Sequence, residues 1–173
     1  MVGQKIMSKT QDNLQAAFAG EAQANRRYLA FAKKAEGESQ PNLAKLFRAA
    51  AEGETIHALN HFSALGGVKT SLENVREAIA GGTYEIEKMY PEFLADAAAE
   101  NESRAKLTMG GAVKVEAYHQ KFFQEALEKL ESGADIKEGD WYVCQVCGYP
   151  EFGRAPEICP VCGAPKEKFK KTE

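Results

Sequence analysis

Two Glu-x-x-His motifs, Glu54–His57 and Glu116–His119, and two Cys-x-x-Cys pairs, Cys144/Cys147 and Cys159/Cys162, carry the chemistry of this 173-residue chain. Residues three apart on a helix share a face, so each Glu and its His can aim at one metal ion. Carboxylates bridge two metals and tolerate redox change, while imidazole adds a neutral ligand, a donor set suited to iron or manganese. A single such motif arises by chance on Glu-rich helices. Two of them, using two of only three histidines, point to a paired metal site. The third histidine, His61, follows His57 by one turn, has no partner motif, and reads as a core or supporting residue.

Glu21 precedes Glu54 by 33 residues and shares its helix side with Leu14, Phe18 and Tyr28. An unpaired carboxylate buried there would be costly, and a metal removes that cost. Glu85 lies near Tyr84, Ile86 and Met89, 31 residues before Glu116. Carboxylate-bridged two-metal bundles take a Glu from each of two helices and Glu-x-x-His from each of the other two. The halves of this chain repeat that layout with one gap. Aligning Ala17-Phe18-Ala19-Gly20-Glu21 with Ala78-Ile79-Ala80-Gly81-Gly82 sets Gly82 opposite Glu21, 34 residues before Glu116. Glu85 then matches Ala24 and is an additional carboxylate, while Glu21's twin is missing. Tyr28 and Tyr90 are candidates to donate hydrogen bonds to the ligand carboxylates.

All four cysteines fall between residues 144 and 162, and a glycine follows the second cysteine of each pair. That pattern reads as a four-thiolate metal site rather than as disulfides. The spacing fits tetrahedral zinc or a single iron equally well; iron could pass one electron at a time, whereas zinc would only staple the fold. Such ligands must stay reduced, and the N-terminus shows no signal-peptide pattern, so a cytoplasmic protein is expected. The net charge of −3 and the lack of a basic stripe argue against nucleic-acid binding. No apolar run approaches the roughly 20 residues that span a bilayer.

Helical periodicity predicts helices over 10–36, 42–65 and 103–131, the last carrying the apolar residues Leu107, Val115, Tyr118, Phe122, Phe123, Leu127 and Leu130. Between the second and fourth helices it predicts a short helix near 71–80, an interruption at Gly81-Gly82, and a third helix over 83–100 kinked at Pro91. The expected fold is an all-α ferritin-like four-helix bundle with one long crossover. A small metal-knuckle domain follows, with Trp141, Tyr142, Tyr149 and Phe169 as its core. The domain limits are expected at 1–134 and 138–173. The crossover leaves room for exchange of helix pairs between protomers.

Four features together carry a family resemblance: the Ala-Gly-Glu of Ala19–Glu21, the two Glu-x-x-His motifs, the segment Glu85–Pro91, and Cys159–Lys166. Over essentially its whole length the chain resembles rubrerythrins, a ferritin-like di-iron domain followed by a rubredoxin-like iron domain. The resemblance implies a peroxidase that reduces hydrogen peroxide to water in oxidative-stress defence. Its electrons would come from NAD(P)H through a donor such as rubredoxin and an NAD(P)H-dependent reductase. It also implies that Glu21, Glu54, His57 and Glu85 serve one iron, that Glu54 and Glu116 bridge the pair, and that His119 binds the second iron. The counterparts of His57 and Glu85 exchange at the first iron as oxidation state changes. Iron held by Cys144, Cys147, Cys159 and Cys162 would relay electrons, usually to a partner subunit's di-iron site in a head-to-tail dimer. A homodimer or tetramer is expected. Where the family usually reads Gly-Glu-Thr, this chain has Gly81-Gly82-Thr83, which should weaken the second iron. The alternatives are a ferritin-like iron-handling protein with ferroxidase activity, and a zinc-ribbon adaptor on an inert bundle. Storage needs no dedicated electron relay, which disfavours the former.

Overall fold

Ser8 opens the first helix with a capping box: its hydroxyl accepts from the Gln11 N–H at 3.2 Å, and the Gln11 side chain accepts from the Ser8 N–H at 2.9 Å. The computed structural model describes residues 8–172; the parts of the expected domains at 1–7 and 173 lie outside them. Two compact units make up the chain, Met1–Lys69 and Thr70–Glu173.

The first unit is a hairpin of α1 (Lys9–Gly37) and α2 (Pro41–Ala64). Ser39 turns the chain at φ +59°, and Pro41 starts α2 in the first turn, where a missing N–H leaves no bond unmade. Ala24, Ala32, Ala35, Ala44, Ala51 and Ala58 are buried between the helices, small enough for close backbone approach. Asn25 spans the seam: its Nδ2 donates to the Ala51 carbonyl at 2.7 Å and to Thr55 Oγ1 at 2.8 Å. A buried hydrogen bond nets about 1 kcal/mol, but leaving one partner unmade costs about 1–3 kcal/mol, so Asn25 fixes the register of the two helices.

The second unit begins with a capping box between Thr70 and Glu73 and continues as α3 (Ser71–Tyr84), a π-helical turn (Glu85–Met89) and α4 (Tyr90–Ala99). The helix expected near 71–80 and the one expected over 83–100 are therefore one run, uninterrupted at Gly81-Gly82. The link from α2 to α3 is only the six residues 65–70, so the connection is short where a long crossover was expected. Two glycines cost a helix about 1 kcal/mol each relative to alanine. Here Thr83 Oγ1 bonds the Ile79 carbonyl at 2.8 Å and accepts from Gln120 Nε2 at 2.7 Å, tying this stretch across to α5 (Ser103–Glu131). At Pro91 the helix widens instead of simply kinking: the Tyr90 N–H donates to the Glu85 carbonyl, closing the wide turn just ahead of the proline. Asn101, at φ +60°, makes the turn into α5, against which α3 and α4 pack.

Three short antiparallel strands follow in the order β2-β1-β3: β1 (Trp141–Cys144), β2 (Pro150–Phe152) and β3 (Phe169–Lys171). Their core is not self-contained. Val115 of α5, 3% exposed, is buried with Cys144, Tyr149, Cys159 and Ala164. Tyr118 meets Tyr149 edge-on at 4.7 Å, and Trp141 is held between Phe122 at 4.8 Å and Phe152 at 5.2 Å. The predicted fold class, a four-helix ferritin-like region with a small cysteine-knuckle domain, is borne out. What the periodicity did not disclose is that Val115, Tyr118 and Phe122 serve the knuckle.

Candidate metal centres

The C-terminal centre is built from two knuckles with the same backbone. In the first, the Gly148 N–H donates to the Cys144 carbonyl at 2.9 Å and the Cys144 N–H to the Tyr149 carbonyl at 2.9 Å. In the second, the Gly163 N–H donates to the Cys159 carbonyl at 2.9 Å and the Cys159 N–H to the Ala164 carbonyl at 2.8 Å. Gly148 and Gly163 sit at φ +87° and +74°, a region favouring glycine, which is why that residue follows each second cysteine. The four sulfurs converge within 4.8 Å of one another. Cys144 Sγ stands 3.7 Å from Cys162 Sγ, and Cys147 Sγ stands 3.6 Å from Cys159 Sγ. A tetrahedral ion with metal–sulfur bonds of about 2.3 Å needs an edge of about 3.8 Å, so the cradle fits one metal ion and not a disulfide.

The four thiols influence one another's protonation. Burial opposes ionisation of Cys144, but the N–H groups of Cys147 and Val146 and the neighbouring thiols outweigh it and hold Cys144 below the usual thiol range. Burial pushes Cys147 up to about 12, and the adjacent thiols of Cys162, Cys159 and Cys144 add to the rise. Cys162 is raised by burial first and then by the Cys159 and Cys144 thiols. Four thiolates this close need a cation to neutralise them.

In the helical region the structure places one set of donors in each unit. Glu21 on α1 and Glu54 and His57 on α2 bring their donor atoms within 4.8 Å of one another. His57 Nδ1 stands 2.9 Å from Glu54 Oε2, and the corresponding pair in the second unit, His119 Nδ1 and Glu116 Oε2, stands at 3.0 Å. Each pair is in hydrogen-bond contact, which brings an imidazole nitrogen and a carboxylate oxygen together on one helix face where a single ion could take both. Glu85, at the start of the π-helical turn, hydrogen bonds to Glu116 and feels the charge of His119. Burial, then the Glu116 charge and their shared hydrogen bond, hold the Glu85 carboxyl above its ordinary value. Tyr90 is raised by burial and by the charges of Glu85 and Glu116, so its phenol keeps its proton beside those carboxylates.

Among the described residues, the Glu85–Glu116–His119 group does not gather three donors as tightly as the first unit does. Gly82 lies one turn before Glu85 and contributes none. His61 stays out of the donor cluster. Tyr28 packs with Phe31 and Phe47 at 6.3 and 6.2 Å, in an aromatic cluster. Sequence reasoning missed Asn25 and Thr55, which lock α1 to α2 one turn from Glu21 and beside Glu54. An asparagine on an alanine-lined helix face was the available signal.

The family model for rubrerythrin matches residues 12–127, and that for the rubrerythrin rubredoxin-like domain matches residues 142–170. The chain belongs to the rubrerythrin family. It is 37% identical to rubrerythrin-2 of Clostridium acetobutylicum, with 93% of this chain and 95% of that protein covered. To the rubrerythrin of Porphyromonas gingivalis it is 33% identical, covering 94% and 90% of the two chains. The solved structure of nigerythrin in its fully reduced, all-ferrous state superposes with a TM-score of 0.56 at 29% identity, over 99% of this chain and 92% of that one. Rubrerythrins are oxidoreductases, and membership brings a di-iron helical domain and a rubredoxin-like domain whose four cysteines form one metal site. No described helix is long and apolar enough to cross a membrane.

Proposed function

We propose that the protein is a non-haem di-iron peroxidase that reduces hydrogen peroxide to water, with electrons entering through the four-cysteine iron. The observation that carries this reading is the pairing of two matched Glu-x-x-His contacts with a thiolate cradle packed on α5, the helix that bears Glu116 and His119. In this reading Glu21, Glu54, His57 and Glu85 would hold one iron and His119 the other, with Glu54 and Glu116 as the carboxylates shared by the pair. When bound, a reduced di-iron pair would supply the two electrons that, with two protons, reduce one hydrogen peroxide to two waters. The protein's own residues set the geometry around that chemistry. Asn25 and Thr55 hold α1 and α2 in register, so that Glu21 and Glu54 stay convergent. Tyr90, its phenol kept protonated, offers a donor at the Glu85–Glu116 carboxylates.

Thiols packed this closely need a reducing compartment, which favours the cytoplasm. The electron donor would be a rubredoxin-type carrier fed by an NAD(P)H-dependent reductase. The working domains in this proposal are 1–134 and 138–173, supported by family matches at 12–127 and 142–170. A homodimer or tetramer is proposed because Leu46, Ile56 and Leu59 of α2, with Phe93, Leu107 and Phe123 of the second unit, leave large apolar side chains exposed. Light scattering on the purified protein should return two or four chain masses, and a monomer at micromolar concentration would contradict it.

The decisive experiment is stopped-flow oxidation of the fully reduced protein. Hydrogen peroxide should oxidise it at least about tenfold faster than dioxygen at equal concentration, a difference of about 1.4 kcal/mol in barrier. Equal rates with both oxidants would remove the peroxidase assignment and leave ferroxidase activity as the better description.

A further inference from the structure

The internal repeat places Gly82 opposite Glu21, and the structure shows what that substitution leaves behind. Within its unit, a Cβ built on Gly82 would have Gln120 Cβ as its nearest neighbour, at 4.0 Å. Gln120 lies one turn beyond Glu116 on α5, so Gly82 faces the stripe that carries Glu116 and His119. The Gln120 amide does not fill the space, because it donates to Thr83 Oγ1 at 2.7 Å. Gly82 is helical, so a side chain there would meet no backbone strain. The two units differ accordingly: Glu21, Glu54 and His57 converge within 4.8 Å, whereas among the described residues the Glu116–His119 side forms no such three-donor cluster.

We propose that the gap at Gly82 is a binding position for a small exogenous carboxylate, which completes the metal on the Glu116–His119 side. This rests on the di-iron reading and adds a ligand class to it. Glycine here removes a side chain, and the position its Cβ would take is open apart from Gln120 Cβ at 4.0 Å. A formate ion has the size, charge and two acceptor oxygens of that missing group. Without it, the ion beside His119 would have two carboxylates, Glu54 and Glu116, against four for the ion beside His57, and would be the more weakly held of the two.

The test uses the full-length protein with the four-cysteine site kept loaded and the helical sites emptied. Ferrous ion is titrated without oxygen, with free iron followed by equilibrium dialysis, for the Gly82 protein, Gly82→Ala and Gly82→Glu, each with and without formate. The Gly82 protein should take up two ions in unequal steps, and formate should tighten the weaker step about tenfold or more, the scale on which even groups supporting a ligand act. Gly82→Glu should bind both ions tightly and ignore formate. Gly82→Ala, which gains helix propensity but no ligand, should keep the weak step. Formate without effect on the Gly82 protein, or with the same effect on Gly82→Glu, overturns the proposal. Absence of iron uptake by the helical region in every variant would instead sink the di-iron reading itself.

Discussion

Serine in place of Cys144 or Cys159 abolishes iron binding at the C-terminal centre and unfolds the segment around it. This is the largest single-residue effect expected in the molecule. Both cysteines are almost wholly buried, at 1% and 2% exposure, and three strands of three or four residues cannot build an adequate core around an empty cradle. Segments below about 40 residues generally need a metal or disulfide to fold, and a four-ligand site contributes about 10–16 kcal/mol of apparent folding free energy. The chain's single tryptophan reports the outcome. Trp141 sits between Phe122 and Phe152, so release into water should shift its emission to longer wavelength as the visible iron–thiolate absorption disappears. A Cys159→Ser protein with full iron content and unchanged tryptophan emission would show that the cradle is not a metal site.

Glu116→Ala should empty the helical centre while leaving the red C-terminal iron in place. Under the proposed ligand set Glu116 touches both ions, and in the structure it is also the partner of His119 and of Glu85. Its removal leaves Glu85 without its hydrogen-bond partner and would take an anionic donor from each ion. Loss of a supporting contact typically costs about 10–100-fold in metal affinity or activity, so loss of a bridging ligand should lower peroxide turnover by more than about 100-fold. Glu52→Ala, on the exposed side of α2, is the matched control and should change turnover less than about twofold. Metal analysis beside peroxidase turnover checks both; comparable iron and rate in Glu116→Ala would remove Glu116 from the site.

Much of this was legible in the chain because the chemistry depends on short-range spacing. Glu-x-x-His places two donors on one helix face, and Cys-x-x-Cys-Gly places two sulfurs around a turn that needs positive φ. Both relations hold whatever the rest of the fold does. The misreadings concern balances that spacing cannot set. Gly81-Gly82 looked like a stop because glycine disfavours helix, yet about 2 kcal/mol of lost propensity is small against the packing of α3 on α5 and the Thr83–Gln120 bond. The short link at 65–70 follows from that same error. Pro91 was read as a kink, whereas the chain widens the preceding turn and sets Glu85 at its start. Val115, Tyr118 and Phe122 were visible only as apolar positions, since periodicity shows that a face is buried but not what buries it.

That last point bears on how separable the C-terminal segment is. It looks like a detachable module, joined to α5 by a Gly- and Asp-containing tether. Yet Val115 is the most buried residue of α5, and what covers it is the knuckle. A chain cut at residue 134 would lose a redox cofactor and would also uncover a stripe of valine, tyrosine and phenylalanine on α5. Transplanting the knuckle to another scaffold would expose the complementary face of Tyr149 and Trp141. The two parts therefore behave less like beads on a string than like a lock and its plate, each covering an apolar face of the other.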